Sequence, residues 1–381
     1  MPTAKDRTRP APVTRAHLTA GQKQSLRRRL LAWYARHARD LPWRKSRDPY
    51  RVWISEIMLQ QTQVVTVCDY FTRFLAAFPD IHTLAAAEEI EILRLWEGLG
   101  YYRRARQLHA AAKQVVALHA GKFPRDLAKL QSLPGIGRYT AGAIASIAFD
   151  QRAPILEANT LRLFSRLIAH RGDVASATGR TSLWTFAEEI LPAKDVANFN
   201  QALMELGSLI CTPTNPKCHE CPLATLCAAN ARGLQHEIPA AKTKQKFTAL
   251  REAAIIIRKN GSVLMRECGP TERWAGLWDF PRFELEATGP LFGREEITTK
   301  VAAQTGIQCT PGALLKTLKH GVTRYRITLD CYEATYISGR TRSPSGTAVR
   351  WLPTAQLIEL PLSTTGRKIA TLLTWSTTKT N

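Results

Sequence analysis

The sequence predicts a multidomain protein: an all-α helix-hairpin-helix domain carrying a four-cysteine cluster loop, followed by an α+β domain. Three observations predict it. Apolar residues recur at three- and four-residue steps from Thr19 to about Cys227. A short glycine-rich turn, Leu133-Pro134-Gly135-Ile136-Gly137, joins two of those helical runs. Beyond a polar stretch, the pattern changes to short β-type runs. A length of 381 residues allows two or three cores.

Residues 1–20 are expected as a disordered basic tail. Met1 to Arg15 is basic, contains proline and has no apolar core, so it does not read as a secretory signal. The helical domain is expected over 21–230. Its periodicity shows in Leu26, Leu30, Leu31 and Trp33, and again in Leu84, Ile90, Leu93 and Trp96. A run with Leu127 and Leu130 leads into the glycine turn, and Tyr139–Phe149 leads out of it. Gly135 and Gly137 let the backbone bend sharply and approach a partner closely. Amides at the start of the next helix then face outward at a positive dipole end, which suits a phosphate.

Lysine and arginine total 53 against 31 acidic residues, a net charge of +22. Such an excess points to a polyanionic partner. Joined to the turn, it reads as a helix-hairpin-helix gripping a DNA backbone without reading its sequence. No run of about 18 apolar residues occurs, which excludes a membrane span.

Four of the eight cysteines, Cys211, Cys218, Cys221 and Cys227, fall in one short window with spacing C-x6-C-x2-C-x5-C. The others, Cys68, Cys268, Cys309 and Cys331, are scattered. A disulfide framework would be distributed. A tight cluster in a chain with no signal reads as metal or iron–sulfur ligation in a reducing cytosol. Zinc sites usually pair two C-x2-C knuckles, and here only Cys218 and Cys221 form one. A [4Fe–4S] cluster is therefore favoured. Pro216 and Pro222 fix the turns, and Lys217 is a candidate phosphate contact.

Residues 231–248 are polar, with Pro239 and lysines 242, 244 and 246, and are expected as an exposed linker. The second domain is expected over 249–375. Glu252–Ile257 and Val263–Met265 read as strands around Asn260-Gly261. Tyr325–Tyr336 alternates, with Ile327, Leu329 and Cys331 in phase. Thr298–Gln304 and Thr365–Thr374 read as helices. No internal repeat is seen.

The stretches Leu41-Pro42-Trp43-Arg44, Ser55 to Val64 (SEIMLQQTQV), Gly98 to Arg103 (GLGYYR), the hairpin and the cysteine spacing together resemble the MutY-type adenine DNA glycosylases of the endonuclease III superfamily. The likeness is dense over 22–230 and looser beyond. It implies a DNA glycosylase domain, a [4Fe–4S] loop and a Nudix-like domain that checks the base opposite adenine. Glu56 is the implied catalytic acid, protonating the flipped adenine and then handling the attacking water. A carboxyl against Trp53, Met58 and Leu59 is desolvated, which favours its protonated form; the plainer reading is an acid at a helix start satisfying the dipole. Gln61 matches the wedge that fills the vacated stack, and Tyr101 an inserted aromatic, on a loop that Arg103, Arg104 and Arg106 mark as exposed. Arg44 and Gln201 match residues beside the base, and Trp43 a wall of its pocket. Tyr139 stands where bifunctional relatives carry a Schiff-base lysine, so the chain is expected to be monofunctional. Its hydroxyl is expected to support the second carboxylate.

That carboxylate departs from the family. Where relatives read Asp-Gly-Asn, this chain reads Glu157-Ala158-Asn159. One more methylene moves the carboxylate by about 1.5 Å unless the chain folds back, and a misplacement of about 1 Å costs roughly a hundredfold. Slower or retuned chemistry is expected. Ala158 also restricts the turn. Trp274–Pro281 (WAGLWDFP) resembles the Nudix-like domain, but no Glu-Glu pair of a Nudix box occurs between Glu286 and Gly306, so no pyrophosphatase metal site is expected. The opposite-base loop, Phe-Ser/Thr-His in relatives, is Val322-Thr323-Arg324 here. Thr323 keeps the hydroxyl, the ring is lost, and Arg324 adds charge. The partner expected is double-stranded DNA, met by a monomer in the bacterial cytosol at the nucleoid, with no membrane contact. The rival readings are a glycosylase for another mispaired base, such as thymine opposite guanine, a lesion-binding scaffold with weakened chemistry, and a nucleotide pyrophosphatase.

Overall fold

Helix formation begins where the sequence supplies a cap. Thr19 accepts from the Gln22 amide (3.2 Å) while Gln22 accepts from the Thr19 amide (2.8 Å), closing a capping box. A computed structural model describes residues 18–240, 247–286, 292–343 and 346–377. The tail expected over 1–20 lies outside the described residues up to residue 17. The linker lysines 242, 244 and 246 lie outside them too. No helix among the described residues is long and apolar enough to cross a membrane.

Contacts divide the chain into two units. The first comprises Met1–Ala76, Asp80–His82 and Ala111–Thr243; the second, Ala77–Pro79, Thr83–Ala110 and Lys244–Asn381. The sequence-based boundaries place 83–110 with the helical domain, whereas contacts group it with the C-terminal residues.

The helices before the sheet are α1 (Ala20–His37), α2 (Pro49–Leu59), α3 (Val64–Ala77), α4 (Ile81–Ala86), α5 (Glu89–Leu95), α6 (Arg103–His119), α7 (Leu127–Gln131), α8 (Arg138–Phe149), α9 (Ala158–Leu167), α10 (Ala177–Ile190), α11 (Val196–Leu209) and α12 (Ala228–Ala231). In the first unit, Leu26, Leu30 and Trp33 of α1 join Phe164, Phe186, Phe199 and Leu203 in one buried cluster. The i, i+4 and i+7 spacing on α1 puts its apolar residues on that face. Asp48 caps α2, with Pro49 at its first position.

The glycine turn lies between α7 and α8. Leu133 and Ile136 are buried and anchor it, while Gly135 and Gly137 are exposed. Gly135 has φ +76°, a backbone that side chains resist. The linker's first part is not free of the fold: Ile238 is buried, and its carbonyl accepts from Arg166 Nε at 2.8 Å.

The second unit holds a seven-stranded mixed sheet: β1 (Thr248–Lys259), β2 (Ser262–Glu267), β3 (Trp278–Asp279), β4 (Arg282–Glu284), β5 (Ile307–Val322), β6 (Tyr325–Gly339) and β7 (Val349–Pro353). The order is β3-β2-β1-β6-β5, with β4 on β1 and β7 on β2. β1 and β6 run parallel. Asn260 and Gly261 both have positive φ, as a tight two-residue hairpin requires. Helix α13 (Phe292–Thr305) packs on Ala253, Ile255 and Ile257, and α14 (Thr364–Thr377) on Ala254 and Ile256. Alternate residues of β1 therefore face two covering helices, which explains its unbroken apolar run.

Glycine at 142 is required by packing. A Cβ there would stand 2.3 Å from the Pro154 carbonyl oxygen. Gly142→Ala is expected to lower stability by about 1–3 kcal/mol, read as a fall in Tm; an unchanged Tm would mean that α8 is not seated on this segment.

Candidate active site

A cleft of about 840 Å³ opens in the first unit. It is lined from the Pro42–Arg44 turn, the second half of α2 and the turn after it, the hairpin, and the starts of α8 and α9 with α11. It gathers Arg44, Glu56, Gln61, Gly135, Gly137, Tyr139, Glu157, Asn159 and Gln201, with Trp43 in its wall. No lysine lines it among the described residues.

Glu56 lies in the later part of α2, not at its start, so the helix-dipole reading fails. It is 4% exposed, between buried Ser55 and Ile57. Burial pushes its carboxyl up to about 7; Glu157 adds to the rise, while the Tyr139 hydrogen bond and Arg44 oppose it. The Tyr139 hydroxyl donates to Glu56 Oε2 and lies 3.4 Å from Met204 Sδ. The expectation that Tyr139 supports the second carboxylate is therefore corrected: its bond goes to the first. The start of α8 brings the Tyr139 hydroxyl to α2, one of the helices α8 packs against.

Glu157 caps α9. Its carboxylate accepts from the amides of Asn159 (2.7 Å) and Thr160 (2.8 Å). The side chain folds back on the helix end. Burial raises its pKa against these two amides. Ala158 opens α9 with a right-handed backbone, so the turn restriction expected from the loss of glycine does not arise. From α9, Arg162 donates to Asn159 Oδ1 (2.9 Å) and to the carbonyls of Gly207 and Cys211 (both 2.7 Å).

Glu205, missed in the sequence, organises the far wall. It is 1% exposed. It accepts from the Arg39 backbone amide (2.9 Å), from Arg39 Nη2 (2.7 Å) and from Arg44 Nη2 (2.9 Å). Burial opposes its ionisation, but these guanidiniums prevail and hold its carboxyl down at about 2. Arg44 also sits over the Tyr34 ring, and Tyr34 donates to Gln201 Oε1 at 3.3 Å. That bond orients the Gln201 amide, leaving its NH2 as the free donor. An acid one turn beyond Gln201 in an apolar helix was the available signal.

Gln61 is exposed, with φ +59°. In the second unit, Tyr101 (φ +48°, 52% exposed) and Thr323 (φ +49°, exposed) share that left-handed backbone, and Arg324 follows Thr323 at the β5–β6 turn. Arg324 donates to the Tyr325 hydroxyl at 2.9 Å. The turn at Tyr101 is exposed, and Arg103 beside it is exposed too, but Arg104 and Arg106 are engaged within the fold. Arg104 is buried and donates to the carbonyls of Leu99 and Gly100, both at 3.1 Å. Arg106 donates to the Ala275 carbonyl.

Cys211, Cys218, Cys221 and Cys227 line one small enclosure with Leu163, Leu167 and Ile210. Four thiols lining one shared space are the donor set that a [4Fe–4S] cluster takes. Buried Arg166 donates to Cys211 Sγ at 3.3 Å, and backbone amides aim at Cys221 and Cys227. Such donors stabilise ligating thiolates. When bound, a cluster cross-links the loop in place of an apolar core. Lys217 is exposed, 3.8 Å from Glu220.

Residues 54–187 match the family model of the HhH-GPD superfamily base excision DNA repair proteins, 211–227 the iron–sulfur binding domain of endonuclease III, and 252–372 the NUDIX domain. The chain is 34% identical to the adenine DNA glycosylase of Rattus norvegicus, over 94% of this chain and 80% of the relative. It is 41% identical to that of Mus musculus over 68% of this chain, and the match spans about half (51%) of the mouse protein's length. A solved thermostable thymine-DNA glycosylase is 29% identical with a TM-score of 0.52, over 56% of this chain and 98% of that one.

Two outcomes follow from this geometry. Glu205→Ala strands Arg39 and Arg44 and is expected to lower stability by about 2–4 kcal/mol in denaturant melts, somewhat less than for a fully buried pair because Arg39 is partly solvated. No loss would mean that the pairs are dispensable. Iron and acid-labile sulfide analysis is expected to give about four of each per chain; zinc without sulfide would contradict the cluster.

Proposed function

The chain belongs to the adenine DNA glycosylase family, and from that premise we propose that it excises adenine paired with 8-oxoguanine or guanine by monofunctional hydrolysis. As a family member it is a base excision repair glycosylase that binds DNA and carries a [4Fe–4S] cluster. The observation that carries the proposal is a carboxyl group, Glu56, buried in the cleft and held near neutrality.

An acid with its pKa near the working pH both gives and takes a proton efficiently. Protonated Glu56 donates to a ring nitrogen of the flipped adenine. The bond from sugar C1′ to the base breaks, and its electron pair leaves with the now neutral base. Glu157 faces the resulting oxocarbenium-like sugar with a carboxylate, the two-carboxylate logic of glycoside hydrolysis. Glu56, now ionised, takes a proton from the water that adds to C1′. Asn159 keeps the Glu157 turn in register, and Tyr139 holds the Glu56 carboxyl. Tyrosine at 139 offers no amine to attack the sugar, and among the described residues no lysine lines the cleft, which supports release of an intact abasic strand.

Arg44 and the Gln201 amide offer donors to the acceptors of a purine edge. Gln61 fills the gap that flipping leaves, Tyr101 inserts into the base stack, Gly135 and Gly137 let amides meet a phosphate, and Thr323 with Arg324 meets the opposite base. The proposal takes the substrate to be double-stranded DNA and the enzyme a cytosolic, nucleoid-bound monomer. Likeness to a thymine-DNA glycosylase keeps thymine opposite guanine as the second reading.

The test is a panel of duplexes with adenine opposite 8-oxoguanine, guanine or cytosine, and thymine opposite guanine. Strand breaks that appear only after alkali, in the first two duplexes, are the expected result. Breaks in the thymine duplex alone favour the second reading, and breaks without alkali contradict monofunctional action. Glu56→Gln is expected to abolish excision without loss of folding.

The pH dependence has a definite sign. The single-turnover rate is expected to fall as pH rises through about 7, as the acid deprotonates. Tyr139→Phe removes a bond that favours the carboxylate, raises the Glu56 pKa and moves the fall to higher pH. Glu157→Gln removes a charge that disfavours the carboxylate and moves it lower. Shifts of the same sign in both variants would contradict this assignment.

A further inference from the structure

Tyr101 ends the sharply bent turn Gly98-Leu99-Gly100-Tyr101, in which Gly98, Gly100 and Tyr101 have positive φ (96°, 70° and 48°). A tyrosine resists that backbone, so something must hold the turn. Part of the restraint is local: Trp96 Nε1 donates to the Gly100 carbonyl at 3.2 Å, and the Arg104 guanidinium stacks 5.7 Å from the Tyr101 ring centroid.

A further restraint comes from the C-terminal helix. Arg367 on α14 makes a bidentate pair with Glu97, the residue that leads into the turn, through Nε–Oε1 at 2.7 Å and Nη2–Oε2 at 2.8 Å. It also donates to the carbonyls of Leu357 (2.8 Å) and Leu360 (2.6 Å), so four of its five N–H donors are engaged. The Leu362 amide donates to Glu97 Oε2 (3.3 Å), and Tyr102 donates to the Leu362 carbonyl (3.4 Å). The start of α14 is itself fixed: Gly366 N donates to Ser363 Oγ (3.0 Å), Ser363 to buried Asp279 (3.3 Å), and Arg282 to Thr365 (2.8 Å). Every partner here belongs to the second unit.

We infer that Arg367 is a positioning residue: through Glu97 it holds the Tyr101 turn in the conformation that meets DNA. The inference rests on the proposed insertion of Tyr101. It places the control of a DNA-contacting ring in the C-terminal helix, far from the cleft in sequence.

The test uses the full chain and a fluorescent duplex in which a non-cleavable 2′-fluorinated adenosine faces 8-oxoguanine. Arg367→Gln is expected to weaken binding about tenfold, and Glu97→Gln likewise. In a Tyr101→Ala background, Arg367→Gln is expected to add less than about twofold, because the ring it positions is gone. The swap Arg367→Glu with Glu97→Arg is expected to recover part of the loss. Equal losses with and without Tyr101 would overturn the inference and leave Arg367 a structural residue. Should Arg367→Gln not fold, Arg367→Lys and Glu97→Gln carry the same cycle. Unchanged binding by Tyr101→Ala alone would overturn the insertion reading and the inference with it.

Discussion

A carboxyl group kept out of water next to a hydroxyl is the constraint on which the site depends. Glu56 is buried on α2, Tyr139 sits at the start of α8, and the two helices must pack closely for the bond between them to form. Desolvation alone would leave a neutral acid with nothing to orient it. The Tyr139 bond fixes its direction and partly restores its acidity, which puts its ionisation near neutrality. The glycine turn before α8 therefore has two duties. It leaves Gly135 and Gly137 exposed at the head of α8, and it starts the helix where residue 139 reaches Glu56.

Helix α9 ties the rest together. Its capping residue is the second carboxylate, its first turn carries Asn159, and Arg162 and Arg166, four residues apart, reach Cys211. Glycine at 207 allows the close approach of α11: a Cβ there would lie 2.8 Å from that of Asn159. Glu157 is held within this arrangement: its side chain folds back onto two amides, and Ala158 opens the helix with a right-handed backbone.

What the sequence revealed was what local spacing encodes. The hairpin glycines, the four cysteines, the Asn260-Gly261 turn and the residues that cluster in the cleft could be read from motifs a few residues long. Glu205 could not, because its partners Arg39 and Arg44 lie more than 160 positions away and a lone acid in an apolar helix does not name them. Strand β5 escaped because Pro311-Gly312 and repeated register shifts break its alternation. The grouping of 83–110 with the C-terminal residues depends on pairs such as Glu97 with Arg367, 270 positions apart, which no periodicity marks. Of the arginines after Tyr101, Arg103 is exposed, whereas Arg104 and Arg106 donate to carbonyls, because a guanidinium can cap a carbonyl as readily as it faces solvent.

The most direct measurement is the ionisation of Glu56 itself. In full-length protein with 13C-labelled glutamate carboxyls, Glu56→Gln identifies the resonance, and an NMR titration gives its midpoint. The account predicts a midpoint near 7. A midpoint at the ordinary carboxylate value of 4.5 would contradict it.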